Sequence, residues 1–197
     1  AGRHAVGALL GLAVMPYALD ALGAERYGLW AVGGAVLTAV RLFDLGLERA
    51  VARDVAVAGA RGAADELADV VAAALPLAAG LGGLAALGVW AGRAWLVEHA
   101  FSVATGLRAE ASLVVVGCAI VAWVEGAFAP YRATLVGLGR MDVASGIDAL
   151  QRVASALGTV LALALGYGLA GLVAKNLATA AGAGLVYRAR AGRLAPP

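Results

Sequence analysis

Charged side chains are scarce in this chain of 197 residues: Asp, Glu, Lys and Arg make up 14% of it, against about 25% in ordinary soluble domains. Hydrophobic residues make up 62%, and the mean hydropathy is +0.87. Two long stretches, residues 70–92 and 153–174, contain no charge at all. Because a helix of about 20 mostly apolar residues crosses the hydrocarbon layer of a membrane, this scarcity argues against a soluble domain and indicates an integral membrane protein.

Cysteine and histidine are nearly absent. Cys118 is the single cysteine, so no intramolecular disulfide can form. Neither of the two histidines, His4 and His99, lies near a cysteine or a carboxylate at the spacing of metal ligands. The chain has no phosphate-binding GxxxxGK loop, and its arginines are scattered singly between apolar runs. We therefore expect no catalytic site, no metal, no resident cofactor and no nucleic-acid partner.

Apolar stretches that end in glycine, proline or charged residues predict the membrane helices. Six are predicted, over residues 5–22, 27–47, 70–92, 111–131, 150–168 and 169–187. The sequence thus predicts an all-α, polytopic membrane protein in which residues 1–197 form a single transmembrane lobe.

The basic residues divide unequally between the two ends of these spans. One side receives ten: Arg3, Arg49, Arg53, Arg61, Arg132, Arg140, Arg152, Arg188, Arg190 and Arg193. The other side receives three: Arg26, Arg93 and Arg108. Because cytoplasmic connections carry an excess of Lys and Arg, this bias predicts a protein of the cytoplasmic (inner) membrane with both ends of this chain in the cytoplasm.

Ionisable residues inside the spans are the candidates for function, since a charge within a membrane helix usually faces protein or water. Arg41, Asp44 and Glu48 follow the spacing i, i+3, i+7, which predicts that they share one face of the second helix. They form either an Arg41–Asp44 ion pair that neutralises itself near the interface or part of a polar cavity. Arg49 and Arg53 are interpreted as topology anchors that close this helix.

The later spans carry further candidates. Glu125 either exchanges a proton or holds a cation, or it pairs with Arg41 or Lys175 from a neighbouring helix. Lys175 either extends its side chain to the outer interface or faces a cavity. Together, the cations of this region predict an amphipathic cavity for an anionic, partly lipidic substrate; they are Arg41, Arg132, Arg152 and Lys175.

Three short motifs resemble polysaccharide-type flippases of the multidrug/oligosaccharidyl-lipid/polysaccharide exporter superfamily. The segment ALGAERYGLW, residues 21–30, resembles the first loop of these flippases, and FDLGLERAVAR, residues 43–53, resembles the end of their second helix. The segment LGRMD, residues 138–142, is similar to their connection after the fourth helix. The resemblance runs in register over nearly the whole chain.

This resemblance implies a transporter built from two six-helix lobes, of which this chain is the amino-terminal one. The implied substrate is a polyprenyl-pyrophosphate-linked oligosaccharide, flipped across the membrane by alternating access for cell-surface polysaccharide synthesis. Arg41 and Arg3 are the implied contacts of the pyrophosphate. The implied partners are membrane lipids, a second lobe or a dimer partner, and polysaccharide polymerases or glycosyltransferases.

Two alternatives remain open at the level of sequence. A cation-coupled multidrug exporter of the same superfamily would use Asp44 and Glu125 to bind a coupling Na⁺ or H⁺. A non-transporting membrane scaffold for polysaccharide enzymes would tolerate simultaneous replacement of Arg41, Glu125 and Lys175.

Overall fold

The computed structural model describes residues 15–42, 46–101 and 103–194, which are almost entirely helical and include no β-strand. A short π-helix, Leu96–Ala100, and a 3₁₀ turn, Thr105–Leu107, lie between the fourth and fifth helices. In chain order the helices are α1 (described over 15–22), α2 (Ala24–Arg41), α3 (Leu47–Arg61), α4 (Ala64–Trp95), α5 (Arg108–Gly137), α6 (Met141–Ala164) and α7 (Gly168–Leu194).

Four helical segments within the described residues are long and apolar enough to cross a membrane. They are Ala64–Ala100, Thr105–Gly137, Met141–Ala164 and Gly168–Arg193, of 37, 33, 24 and 26 residues. Each exceeds the length of about 20 residues that a spanning helix needs. The prediction of an all-α, polytopic membrane protein is confirmed. Most of the first predicted span, 5–22, lies outside the described residues.

The predicted second span, 27–47, is wrong at its carboxyl end. Helix α2 ends at Arg41, and Gly46 adopts φ +81, the left-handed conformation that glycine takes up without steric penalty. A new helix, α3, begins at Leu47. Arg41 and Glu48 therefore lie on different helices rather than on one shared face. Asp44 lies outside the described residues.

Helix α3 is amphipathic and packs against α4 and α5. Val51, Val55 and Ala58, spaced i, i+4, i+7, form its buried face. Arg49 and Arg53, which were predicted to close the second helix, lie instead on the exposed face of this separate helix.

Helix α5 is the centre of the structure, because it packs against α2, α3, α4, α6 and α7. Glycines on α5 and on its neighbours permit this close approach. A Cβ atom built on Gly33 of α2 would lie 2.5 Å from Val114 Cγ1, and one built on Gly117 of α5 would lie 2.3 Å from Val173 Cγ1 on α7. Both distances are shorter than real contacts allow, so these helix pairs require glycine there.

We expect Gly117→Ala to lower the free energy of unfolding by about 1–3 kcal/mol, because the added methyl group overpacks the α5–α7 contact. The matched control is Gly88→Ala in α4, where an added Cβ meets nothing within 4 Å and alanine favours the helix. Thermal unfolding in detergent micelles compares the two variants. Equal midpoints for both would contradict the close contact at Gly117.

Consecutive long helices run antiparallel, joined by tight turns after α5 and α6 in which Gly139 and Gly166 have positive φ angles. One end of the bundle carries the Arg26–Glu110 and Arg108–Glu98 ion pairs. The opposite end carries α3 and most of the arginines. The described arginines outside the cavity at this second end are Arg49, Arg53, Arg61, Arg140, Arg188, Arg190 and Arg193.

Candidate functional site

A cavity of about 610 Å³ lies in the half of the bundle that carries α3, and helices α2 to α7 all contribute to its wall. Apolar and small residues, such as Leu81, Ala122 and Phe128, form part of the lining. The lining also contains Tyr187 and eight other polar or charged side chains: Arg41, Glu48, Glu125, Arg132, Asp148, Gln151, Arg152 and Ser155.

The Arg41–Glu125 ion pair joins α2 to α5 at this cavity. Arg41 donates from both Nε and Nη2 to Glu125 Oε2, the Nε bond measuring 3.1 Å. Gln151 of α6 donates from Nε2 to the other carboxylate oxygen, Oε1, at 3.3 Å. Of the alternatives for Glu125, the structure therefore shows the pairing with Arg41. The Arg41 side chain remains 55% exposed, so the guanidinium still faces the cavity.

Arg132 of α5 is at the centre of a second hydrogen-bond and ion-pair network, which connects α3, α5, α6 and α7. It donates from Nη2 to Asp148 Oδ2 at 2.9 Å and also contacts Glu48, at the start of α3. Tyr187 of α7 donates its hydroxyl hydrogen to Asp148 Oδ1. Tyr187 is only 5% exposed. Asp148 therefore accepts hydrogen bonds from both Arg132 and Tyr187.

Arg152 lies on α6 one turn beyond Asp148; it is an exposed residue and lines the cavity. Within the described residues, Arg152 forms no ion pair. Arg41 and Arg132 are both paired with carboxylates. Arg152 is consequently the cavity arginine most available to an anionic ligand.

Lys175 of α7 reaches across to α6 instead of extending to the end of the bundle. Its Nζ donates to Ser155 Oγ at 2.7 Å and to the Ser155 carbonyl at 3.1 Å. Lys175 itself is not among the residues that line the cavity, but Ser155 is. Lys175 therefore does not line the cavity itself; it contacts the cavity wall through its hydrogen bonds to Ser155.

Pro130, inside α5, interrupts the backbone hydrogen bonds of this helix beside the cavity. Proline has no backbone N–H, so it cannot donate the helical hydrogen bond to the carbonyl of Gly126, four residues earlier. Gly126 lines the cavity next to Glu125. A backbone carbonyl that its own helix does not satisfy is tolerated in a membrane protein where it faces protein or a cavity.

Four of the seven predicted site residues line this one cavity: Arg41, Glu125, Arg132 and Arg152. Arg3 and Asp44 lie outside the described residues. Gln151 and Ser155 were missed as site residues, although a signal for them exists. The polar residues of α6 follow the helical spacing i, i+3, i+4, i+7, i+11, which places them on one stripe; they are Asp148, Gln151, Arg152, Ser155 and Thr159.

Comparisons of this chain with protein-family models, with curated proteins and with solved structures found no match. The cavity geometry and the chemistry of its side chains therefore carry the functional argument.

Proposed function

We propose that this chain is one lobe of a membrane transporter that flips a polyprenyl-pyrophosphate-linked oligosaccharide by alternating access. A second lobe or a second copy would complete the path, and the cytoplasmic membrane would be its site of action. The observation that carries the proposal is the cavity with three arginines in its wall, set among helices apolar enough to span a membrane.

The chemistry of such a substrate fits both the arginines and the apolar residues of the cavity wall. A pyrophosphate is a compact polyanion, and guanidinium groups bind phosphate oxygens with paired, charge-assisted hydrogen bonds. Arg152 offers its donors directly, while Arg41 and Arg132 are held in position by their carboxylate partners. The apolar lining suits a polyprenyl chain, because burying its methylene groups is favourable.

The proposal is tested in liposomes of phosphatidylethanolamine and phosphatidylglycerol that contain the protein and a fluorescent polyprenyl-pyrophosphate-linked sugar. Dithionite, which does not cross the membrane, destroys only the outward-facing label. We expect the protein to make nearly all of the label accessible, against about half in protein-free liposomes, which have two equal leaflets. Accessibility that stays at the protein-free value would overturn the proposal.

A matched lipid tests whether the pyrophosphate is recognised. The control substrate carries the same sugar and polyprenyl chain through a neutral linkage. We expect slower flipping of this lipid, because it makes no charge-assisted hydrogen bonds with the arginines. Equal rates for both lipids would show that the anionic group plays no part.

We expect Arg152→Gln to slow flipping about tenfold, because a hydrogen bond to a charged group contributes about 1.5–3 kcal/mol. The control is Arg190→Gln, which removes the same charge from the exposed surface of α7 and should leave the rate unchanged. The initial rate of label loss measures both. An Arg152→Gln rate equal to that of the control would remove Arg152 from the site.

Cation-coupled export of a small molecule is the second candidate, and one observation favours it. Three carboxylates, those of Glu48, Glu125 and Asp148, line the same cavity, and carboxylates bind coupling cations. Under this alternative, Glu125→Gln abolishes efflux of a cationic dye from vesicles, and the unchanged protein does not flip the lipid-linked sugar.

A further inference from the structure

Lys175 is the only lysine of the chain. It lies seven residues, or about 10 Å, past the first residue of α7. Its side chain is partly buried and crosses to α6, where Gly158 provides room for it. A Cβ atom at Gly158 would lie 3.5 Å from Lys175 Cδ, so the methylene stem rests against the bare backbone at this point.

The amine lacks the partner that a buried ammonium usually has. Both of its hydrogen bonds go to Ser155, a neutral residue, and no ion pair of Lys175 exists among the described residues. The charged groups that α5 and α6 contribute to the cavity beside Ser155 are Glu125, Arg132, Asp148 and Arg152. Both carboxylates in this set are bound to arginines, Glu125 to Arg41 and Asp148 to Arg132.

A route for protons to this amine also exists. Ser155 Oγ, 2.7 Å from Lys175 Nζ, belongs to a residue of the cavity wall. The hydroxyl both donates and accepts hydrogen bonds, so it connects the amine to water in the cavity. Lysine readily changes its protonation state when it is buried, which arginine does not.

We propose that Lys175 and Ser155 form a proton-binding site, and that loading and unloading this site couples a proton gradient to the transport cycle. The second half of this statement rests on the proposed transport function; the first half does not. The ligand is a single proton, exchanged with water that enters the cavity.

Proton exchange changes the contact between α6 and α7. In the charged form, the ammonium donates to the hydroxyl and the carbonyl of Ser155 and holds the two helices together. When the proton passes to cavity water, forming hydronium, the neutral amine keeps two N–H donors and gains a lone pair. Both bonds to Ser155 then become neutral hydrogen bonds, which are about half as strong as charge-assisted ones. Release of the proton therefore loosens α7 from α6.

Because the chain has one lysine, ¹⁵N-lysine labelling of the protein in lipid nanodiscs gives one side-chain amine signal for NMR. A second protein, carrying Arg190→Lys on the exposed surface of α7, adds a reference lysine to the same spectrum. We expect Lys175 to titrate with its own midpoint, separate from that of residue 190. We expect Ser155→Ala to move this midpoint by about one pH unit, a tenfold change in the protonation constant.

Two results of this titration would overturn the proton site. One is a Lys175 signal that follows the reference lysine. The other is a signal that keeps one form over about pH 5 to 10 while the reference titrates. Neither result depends on any oligosaccharide, so failure of the proton site is distinguishable from failure of the proposed transport.

Flipping under an imposed proton gradient tests the coupling. For one proton exchanged per substrate, a gradient of one pH unit shifts the distribution of the labelled lipid about tenfold. Lys175→Met removes the titrating group and Lys175→Arg fixes the charge, so we expect the gradient to shift the distribution in neither variant. Arg190→Gln, on the exposed surface of α7, should keep the response to the gradient. A normal gradient response in both Lys175 variants would overturn the coupling.

Discussion

Replacing Arg132 by methionine is expected to lower the free energy of unfolding by about 2–4 kcal/mol, somewhat less than the loss of a partner from a fully buried ion pair, because the Arg132 side chain is 37% exposed. The guanidinium of Arg132 serves both Glu48 and Asp148, on α3 and α6. Its removal leaves the half-buried carboxylate of Asp148 with no cation paired to it, while the tyrosine hydroxyl at position 187 remains. The loss of a partner inside a protein costs more than the pair itself contributes, because the remaining charge stays desolvated.

The matched control for this substitution is Arg140→Met. Arg140 also pairs with a nearby aspartate, Asp142, but this pair lies on the exposed surface at the start of α6, where such pairs contribute about 0–1 kcal/mol. Adding Asp148→Asn to the Arg132→Met protein should recover part of the lost stability, since it removes the stranded charge. Thermal unfolding in micelles measures all three. If Arg132→Met loses no more stability than Arg140→Met, the network does not hold the four helices together.

Arg41→Gln is expected to slow flipping about 10- to 100-fold, more than Arg152→Gln. It removes a charged hydrogen-bonding group, which contributes about 1.5–3 kcal/mol, and it also leaves the carboxylate of Glu125 without its paired cation. Arg41 extends from the end of α2 and stays 55% exposed in the cavity despite its bond to Glu125. Arg26→Gln is a close control. Arg26 also belongs to α2, is 51% exposed and pairs with a glutamate of α5, but at the opposite end of the bundle.

An exchange of the two charges separates a binding role of Arg41 from a structural one. The double variant Arg41→Glu with Glu125→Arg keeps an ion pair between α2 and α5. If Arg41 binds the substrate, this variant recovers stability without recovering the flipping rate. Recovery of both would show that only the pair matters and would remove Arg41 from the substrate site.

The long spans were predictable from sequence because length and hydropathy alone decide them. The uncharged runs 70–92 and 153–174 fall within α4 and within the α6–α7 hairpin. The clustering of Arg41, Arg132 and Arg152 was also foreseeable, since charges in apolar helices avoid lipid and share whatever polar space the fold offers. Their membership in one cavity follows from that preference.

The break after α2 was not foreseen, because the residues around it favour a helix on both sides. The charges from Arg41 to Arg53 follow a helical spacing, whereas Gly46 adopts a left-handed conformation just before α3 begins. A glycine beyond the last apolar turn, followed by the amphipathic repeat of Val51 and Val55, was the available signal. The individual ion pairs could not be predicted for another reason. Glu125 had two possible partners, Arg41 and Lys175, and the choice between them depends on how each helix is rotated about its axis, which the sequence does not specify.

The charges of the cavity wall cancel, and this has an electrical consequence. Three arginines, Arg41, Arg132 and Arg152, face three carboxylates, those of Glu48, Glu125 and Asp148. A membrane potential of 100 mV does about 2.3 kcal/mol of work on each elementary charge that crosses the membrane. It does almost none on a wall whose net charge is zero. The voltage across the membrane would therefore act on the cargo and on the ion that accompanies it, and would leave the return of the empty site nearly unaffected.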